Sequence, residues 1–273
     1  ALRPYQCAVC AVTGHINVHE TGAIEATGHK VMGIESGDGK LTAEQIREVY
    51  SRHWTDESHE HIAQPKLVYI SDSTEIGTIY TKNELKEIYK ACKENDMYLF
   101  IDGARLGYAL ASEDNDLDLK TIAENCDVFY IGGTKCGAMF GEALVILNNE
   151  LKKDFRYVIK QKGGMLAKGW LLGIQFDELL KDGLYFELAA HADKMAYKIK
   201  NAALEAGYKL YSDSPTNQQF IIFPDKLIDK LSEKYVFSYQ QRIDENNSAV
   251  RICTSWATDE KNVDMLIKDI KEC

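Results

Sequence analysis

The chain has 273 residues, 45% hydrophobic and 27% charged, with 4 Pro. This composition excludes a disordered, collagenous or low-complexity protein and provides a sizeable core in one large domain or two smaller ones. With 32 Lys and Arg against 42 Asp and Glu the net charge is -10, which repels nucleic-acid phosphates and anionic membranes; no stretch approaches the ~20 apolar residues of a membrane span and no leader pattern is visible, so a soluble, cytoplasmic protein is expected.

The sequence opens on Ala1, and ALRPYQCAVCAV runs straight into strand-like residues, as if an element of a longer chain preceded it. Cys7 and Cys10 have a metal-like spacing, but no second pair lies near them. The 7 Cys are an odd, scattered set, so reduced thiols buried as small hydrophobes are expected. His15 and His19 follow, beside Glu20. Ile16 and Val18 alternate with Asn17, which reads as extended chain, where residues four apart are too distant to share a metal. Glu20 is equally placed to cap a helix over residues 21–26. His53, His59 and His61 fall among Asp56, Glu57 and Glu60, a pattern for an exposed loop or helix end.

Apolar runs mark strands at 67–70 and 97–101, short enough to be covered on both faces of a sheet. Between them, residues 81–95 carry Leu85, Ile88, Tyr89 and Cys92 at helical spacing, so the unit is a parallel strand pair with a right-handed crossover. An Asp-rich stretch at 115–118, a helical turn through Ile122, and a strand at 127–131 ending on Gly132 and Gly133 come next. A further strand at 141–147 follows after a hairpin-length gap. From 151 to about 206 the text is helical, enough for two or three helices, punctuated by Gly183 and Gly207. The tail reads as a strand at 219–223, a helix with Leu227 and Leu231, strands around Val236 and at 250–254, and a last amphipathic helix opened by Thr258, Asp259 and Glu260. The division is therefore an α/β domain with a mostly parallel sheet over 1–185 and a smaller α+β domain over 186–273.

Ligands bind beyond the carboxyl ends of strands in parallel α/β sheets. Three such ends carry reactive residues: 71–75, Asp102 with Arg105, and Thr134 with Lys135 inside GGTKCG. A Lys in a Gly-rich turn that is desolvated or set near another cation loses basicity and can form a Schiff base with a carbonyl. A carboxylate at a neighbouring strand end can keep a pyridinium nitrogen protonated. Plain structural roles stand beside these: Lys135 as a solvated loop amine, Asp102 as a turn-former or the ion-pair partner of Arg105, and Arg251 as an edge cation paired with Asp244 or Glu245.

Taken together, FIDGARLGYAL and DVFYIGGTKCGAMFGEA, with GHINVHETGAIEATGHKV upstream and VRICTSWAT near the end, resemble the threonine aldolase family of fold-type-I pyridoxal 5'-phosphate (PLP) enzymes, within the β-eliminating lyase group. The likeness covers nearly the whole chain, with the motifs in the family's order. It implies an aspartate aminotransferase-like fold with a large PLP-binding domain and a small C-terminal one. It further implies PLP held as a Schiff base by Lys135, with Asp102 salt-bridged to the pyridine nitrogen, His15 stacked on the ring and Thr134 near the phosphate or the imine. By the same likeness Arg105 and Arg251 hold the substrate carboxylate, for which a planar guanidinium is bidentate. His15, or a water held by it and Glu20, takes the β-hydroxyl proton. The reaction implied is retro-aldol cleavage of a β-hydroxy-α-amino acid, threonine or allo-threonine, to glycine and an aldehyde. The implied partners are that small amino acid and further copies of the chain in a homodimer or homotetramer, with no nucleic acid, membrane or metal.

The sequence departs from the family pattern in two places. The segment SDSTEIG at 71–77 has no His where better-known members carry one, and the large domain is expected to be N-terminally incomplete, without the family's phosphate-gripping Gly/Thr loop. Another PLP-dependent lyase or aminotransferase reaction therefore stays open as an alternative, as does a catalytically silent fragment.

Overall fold

A computed structural model describes residues 1–272. All six residues of β1 (Gln6–Ala11) are buried, because this strand lies inside a sheet covered on both faces. It leads into a single helical turn, α1 (His15–Val18). This corrects the extended chain expected from the Ile16/Val18 alternation. Turn hydrogen bonds decide the matter: the Gly14 amide donates to the Ala11 carbonyl at 2.8 Å and the His19 amide to the His15 carbonyl at 2.9 Å, while the Asn17 side chain closes on the Val12 carbonyl at 2.8 Å. A Cβ on Gly14 would stand 2.9 Å from the Ala11 oxygen, so the tight turn needs glycine there. Residues 21–24 form turns before a 3-10 segment at Glu25–Thr27, and no side chain caps that segment.

Next come β2 (Val31–Ile34), α2 (Ala43–Thr55), β3 (Gln64–Ser71), α3 (Lys82–Glu94) and β4 (Tyr98–Asp102). Capping boxes, Thr42 with Gln45 and Thr81 with Glu84, start both α2 and α3 by satisfying amides that have no intrahelical partner. Leu85, Ile88 and Cys92 of α3 are buried in the main core, and β3 and β4 pair in parallel with Ser71 opposite Asp102, which is the expected crossover. The polar segment behaves differently from expectation at one residue. His53 is buried in the last turn of α2 against the rings of Trp54 and His59, and burial lowers its pKa. Beyond α4 (Leu106–Ala111) and α5 (Leu119–Glu124) lie β5 (Val128–Gly132) and β6 (Glu142–Ile146). The sheet order is β2-β1-β3-β4-β5-β6, parallel except for β6, which is antiparallel to β5.

Four α-helices, where two or three were expected, occupy the following stretch: α6 (Asn149–Lys152), α7 (Phe155–Gln161), α8 (Trp170–Leu180) and α9 (Leu184–Glu205). Asp154 and Gly183 in the left-handed region break the run. The remaining elements are β7 (Lys209–Ser212), β8 (Gln218–Pro224), α10 (Asp225–Ser232), β9 (Ser238–Arg242), β10 (Asn247–Cys253) and α11 (Glu260–Lys271). Their strands form an antiparallel sheet in the order β7-β8-β10-β9. Val236 is fully exposed and lies ahead of β9, so the strand expected around it begins two residues later. A second core joins Ile221, Phe223 and Val250 of this sheet to Ile199 of α9 and Leu266 of α11. The long α9 packs on α4 at one end and α11 at the other; we propose residues 185/186, near its start, as the domain boundary. Cys7, Cys10, Cys92, Cys126 and Cys136 are buried free thiols, and burial pushes Cys7 up to about 11 and the other four to about 12.

Asp193, in the middle of α9, is buried and neither carboxylate oxygen has a hydrogen-bond partner. Desolvation raises its pKa to about 9. The folded pKa lies above the unfolded one, so stability is fully present below about pH 4 and falls as pH rises toward about 9. Asp193→Asn is therefore expected to raise Tm at pH 8 by roughly 2–4 °C, the scale of ~1 kcal/mol in a protein of this size, and to leave it unchanged near pH 3. Thermal melts of the two proteins across that range check this.

Candidate active site

The carboxyl ends of β3, β4 and β5 meet at one sheet edge, and β1 delivers α1 to the same place. Asp102 ends β4. Its Oδ1 accepts the Ala104 amide at 2.9 Å, the turn expected at Gly103, while its other oxygen accepts the Tyr69 hydroxyl from β3. The Tyr130 hydroxyl on β5 lies close enough to feel the Asp102 charge. Burial, then the Asp102 charge, raises the pKa of both phenols, so both remain donors. Asp102 makes no ion pair with Arg105 among the described residues.

Lys135 follows β5 through Gly132 and Gly133. A Cβ on Gly103 would lie 1.8 Å from the Tyr130 carbonyl oxygen, and one on Gly132 2.4 Å from the Gly103 oxygen. The two strand ends therefore touch backbone to backbone, which brings Asp102 and Lys135 to one cavity. The turn is held from several sides: the Gly133 amide donates to Glu142 at 2.6 Å, Tyr185 donates to the Gly132 carbonyl at 2.9 Å, and Tyr108 donates to the Lys135 carbonyl. The Lys135 side chain is accessible from the cavity it lines. Partial desolvation of the amine, then the Arg105 charge, lowers its pKa, against opposing pulls from Asp102, Glu142 and Glu20.

His15 and Glu20 line the same cavity, with His15 Nδ1 and Glu20 Oε1 2.6 Å apart; Glu20 therefore engages the imidazole and caps no helix. Arg105 lines the cavity, and its Nε is buried without a hydrogen-bond partner. Arg251, on β10, lines an adjoining hollow with His15, Arg105 and Lys135. Its Nε is likewise unpartnered, and the only side-chain hydrogen bond it makes among the described residues is a long one to Gln218. Asp244 instead faces Arg242 and Asn247, so the edge ion pair weighed for Arg251 is absent. Among the described residues neither guanidinium has a carboxylate partner, an arrangement that can hold an anion, since a buried cation left unpaired is costly. Thr134 stays outside this group. Its exposed hydroxyl accepts the Gly141 amide at 3.1 Å, turning it away from the residues that line the cavity.

Tyr69, Tyr130, Ser71 and Glu75 complete the site. Ser71 and Glu75 fall in the reactive 71–75 segment, but the two tyrosines were not singled out by the sequence. Their signal was pleat alternation, because Tyr69 lies two residues before Ser71 and so faces the same side of the sheet.

A family model for the beta-eliminating lyases matches residues 1–225. The chain belongs to the beta-eliminating lyase family. A low specificity L-threonine aldolase from a Pseudomonas species is 32% identical over 98% of this chain and 76% of its own length. The solved structure of Leishmania major threonine aldolase is 48% identical, with a TM-score of 0.95, and is matched over 100% of this chain and 78% of that one. Aspartate aminotransferase from Thermus thermophilus, at 13% identity and a TM-score of 0.67 over 99% of this chain and 70% of its own, shares the fold. The large domain and its smaller C-terminal companion thus have the aminotransferase-like architecture of fold-type-I PLP enzymes. Among the described residues, no helix is long and apolar enough to cross a membrane, and no group of three or more His, Cys, Asp or Glu is arranged to hold a metal.

Proposed function

We propose that this protein is a PLP-dependent aldehyde-lyase that cleaves threonine or allo-threonine to glycine and acetaldehyde. The observation that carries this reading is the convergence on one cavity of an amine of lowered pKa, a carboxylate fixed by two donors and an unpaired guanidinium, with a second in the adjoining hollow. The chain in which they meet is 48% identical to a threonine aldolase. The donor set suits PLP: an acceptor for a ring N–H, an unpaired lysine and a flat imidazole.

PLP, when bound, supplies a carbonyl for an amine and a cationic ring that takes up the electron pair left at the substrate Cα. Lys135 Nζ would hold the group through that carbonyl and is suited to it, because its lowered pKa leaves more free amine at neutral pH. Asp102 would hold the ring N–H, and Tyr69 and the Ala104 amide keep its oxygens from turning away. His15, held by Glu20, would pack against the ring. Arg105 and Arg251 clamp the substrate carboxylate, which sets the bond to be broken relative to the ring.

The exposed apolar residues Met139, Phe140, Tyr157, Leu166, Trp170 and Leu171, on the loop after Lys135 and around α7 and α8, favour cover by a second copy in a homodimer or homotetramer. Light scattering should then give at least twice 30.8 kDa. The buried free thiols suit a cytoplasmic location, testable by cell fractionation. The function is tested by supplying PLP and L-threonine and measuring products. Glycine and acetaldehyde in equal amounts are expected, whereas a keto acid and amine transfer would favour an aminotransferase.

A further inference from the structure

Four residues are common to the cavity holding Asp102 and the hollow holding Arg251: His15, Glu75, Arg105 and Lys135. On the aldolase reading above, a substrate's Cα and Cβ lie at this junction. Lys135 serves the carbonyl, Arg105 serves the carboxylate, and His15 Nδ1 is engaged by Glu20 at 2.6 Å. Glu75 is the acid–base group left over. Its Oε1 accepts the Ser71 hydroxyl at 2.6 Å and the His15 amide at 2.8 Å, and no side chain among the described residues donates to Oε2. It forms no ion pair with any described residue, although it lines a site that contains two Arg and a Lys.

The position is built. Beyond Glu75 the chain is latched to the small domain, where Ser212 donates to the Ile76 carbonyl at 2.8 Å and Ser214 to the Gly77 carbonyl at 3.1 Å. Gly77 has φ 85°, and a Cβ there would stand 2.3 Å from Ser214 Oγ, so the close approach requires glycine. Two neutral donors on one oxygen hold the carboxylate without neutralising it. Burial raises its pKa, Ser71 and the His15 amide pull it down, and the Asp102 charge raises it further; His15, His19, Glu20, Arg105, Tyr130, Lys135 and Arg251 are the other charged or titratable groups around it. A carboxylate of raised pKa is a stronger proton acceptor than an ordinary glutamate.

We propose that Glu75 accepts the β-hydroxyl proton in the cleavage step. The O–H proton passes to the Glu75 carboxylate and the O–H electron pair becomes the second C–O bond of the aldehyde. The Cα–Cβ bond breaks with its electron pair left at Cα. Glu75 then releases its proton to water and Cα takes one proton from solvent, giving glycine and the free carboxylate, with no net oxidation or reduction.

Glu75→Gln tests this, because the amide oxygen still accepts from Ser71 and the His15 amide. In the PLP-loaded protein kcat for L-threonine should fall by roughly 10²–10⁴-fold. Exchange of a glycine α-hydrogen with D2O needs no hydroxyl and should keep its wild-type rate within about three-fold, a bound set by the absence of any general-base contribution. An infrared carboxylate band titrating above the ordinary glutamate range should disappear in the variant, and the acid limb of the wild-type rate should flatten. Glu75→His should restore cleavage, with its acid limb near the ordinary imidazole value of about 6.5. Threonine cleavage at the wild-type rate in Glu75→Gln, or equal loss of cleavage and glycine exchange, would overturn the proposal. A wild-type protein that cleaves no β-hydroxy amino acid would instead overturn the aldolase reading on which it rests.

Discussion

Lys135→Ala is expected to lower threonine cleavage by about four orders of magnitude or more, the scale at which loss of a covalent nucleophile is felt. It should also remove the visible absorbance that the wild type gains with PLP. The substitution separates chemistry from folding. Nζ forms no hydrogen bond or ion pair among the described residues, and the side chain is accessible from the cavity. The turn itself is held through the Lys135 carbonyl and the neighbouring glycines, none of which the substitution removes. Tm should therefore stay within the narrow range of ordinary surface changes, about ±0.5 kcal/mol in stability. Steady-state kinetics, absorbance and a thermal melt on one preparation test all three statements. A variant that retained both absorbance and turnover would remove Lys135 from the site.

Asp102→Asn should be the next most damaging change, with kcat lowered roughly 10²–10³-fold, the cost of removing one preorganised electrostatic contact to developing charge. The two side chains have the same shape, so the Ala104 amide can still find the amide oxygen while the new NH2 donates to the Tyr69 hydroxyl oxygen. What is lost is the negative charge that keeps a ring nitrogen protonated. Tyr69→Phe is the matching control, because it removes a donor to Asp102 and leaves the charge, so its loss should be smaller. Comparing kcat for the two variants checks the ordering; Asp102→Asn turning over within three-fold of wild type would contradict the electrostatic role, which carries a far larger expected effect.

The parts of the fold legible in the sequence were those written in local pattern. Leu85, Ile88 and Cys92 announce α3 through helical spacing, and the short apolar runs announce β3 and β4 because a sheet covered on both faces needs no polar alternation. Lys135 and Asp102 were legible as reactive residues just past strand ends. The phenols of Tyr69 and Tyr130 were hidden because their direction depends on the pairing of three strands, with Ser71 opposite Asp102 and Phe100 opposite Val128, and single-strand spacing does not contain that register. The turn at α1 was misread for a related reason: Ile16 and Val18 alternate like a strand, but the hydrogen bonds among Gly14, Asn17 and His19 outweigh that short pattern. His53 was read from its charged neighbours, whereas Trp54 and His59, brought against it by the end of α2, determine its burial. Thr134 adjoins Lys135 in sequence, yet the turn points its hydroxyl at Gly141.

The alternatives left open by the residues differ in what they require of Lys135. A silent fragment requires nothing, whereas every PLP reaction requires an amine within the cavity that Asp102 shares. Reduction of the PLP-loaded protein with borohydride, followed by tryptic digestion and tandem mass spectrometry, tests this most directly. The account predicts one phosphopyridoxyl group per chain, on the peptide containing Lys135. A label on any other lysine, or no label on a protein shown to be folded, would contradict it.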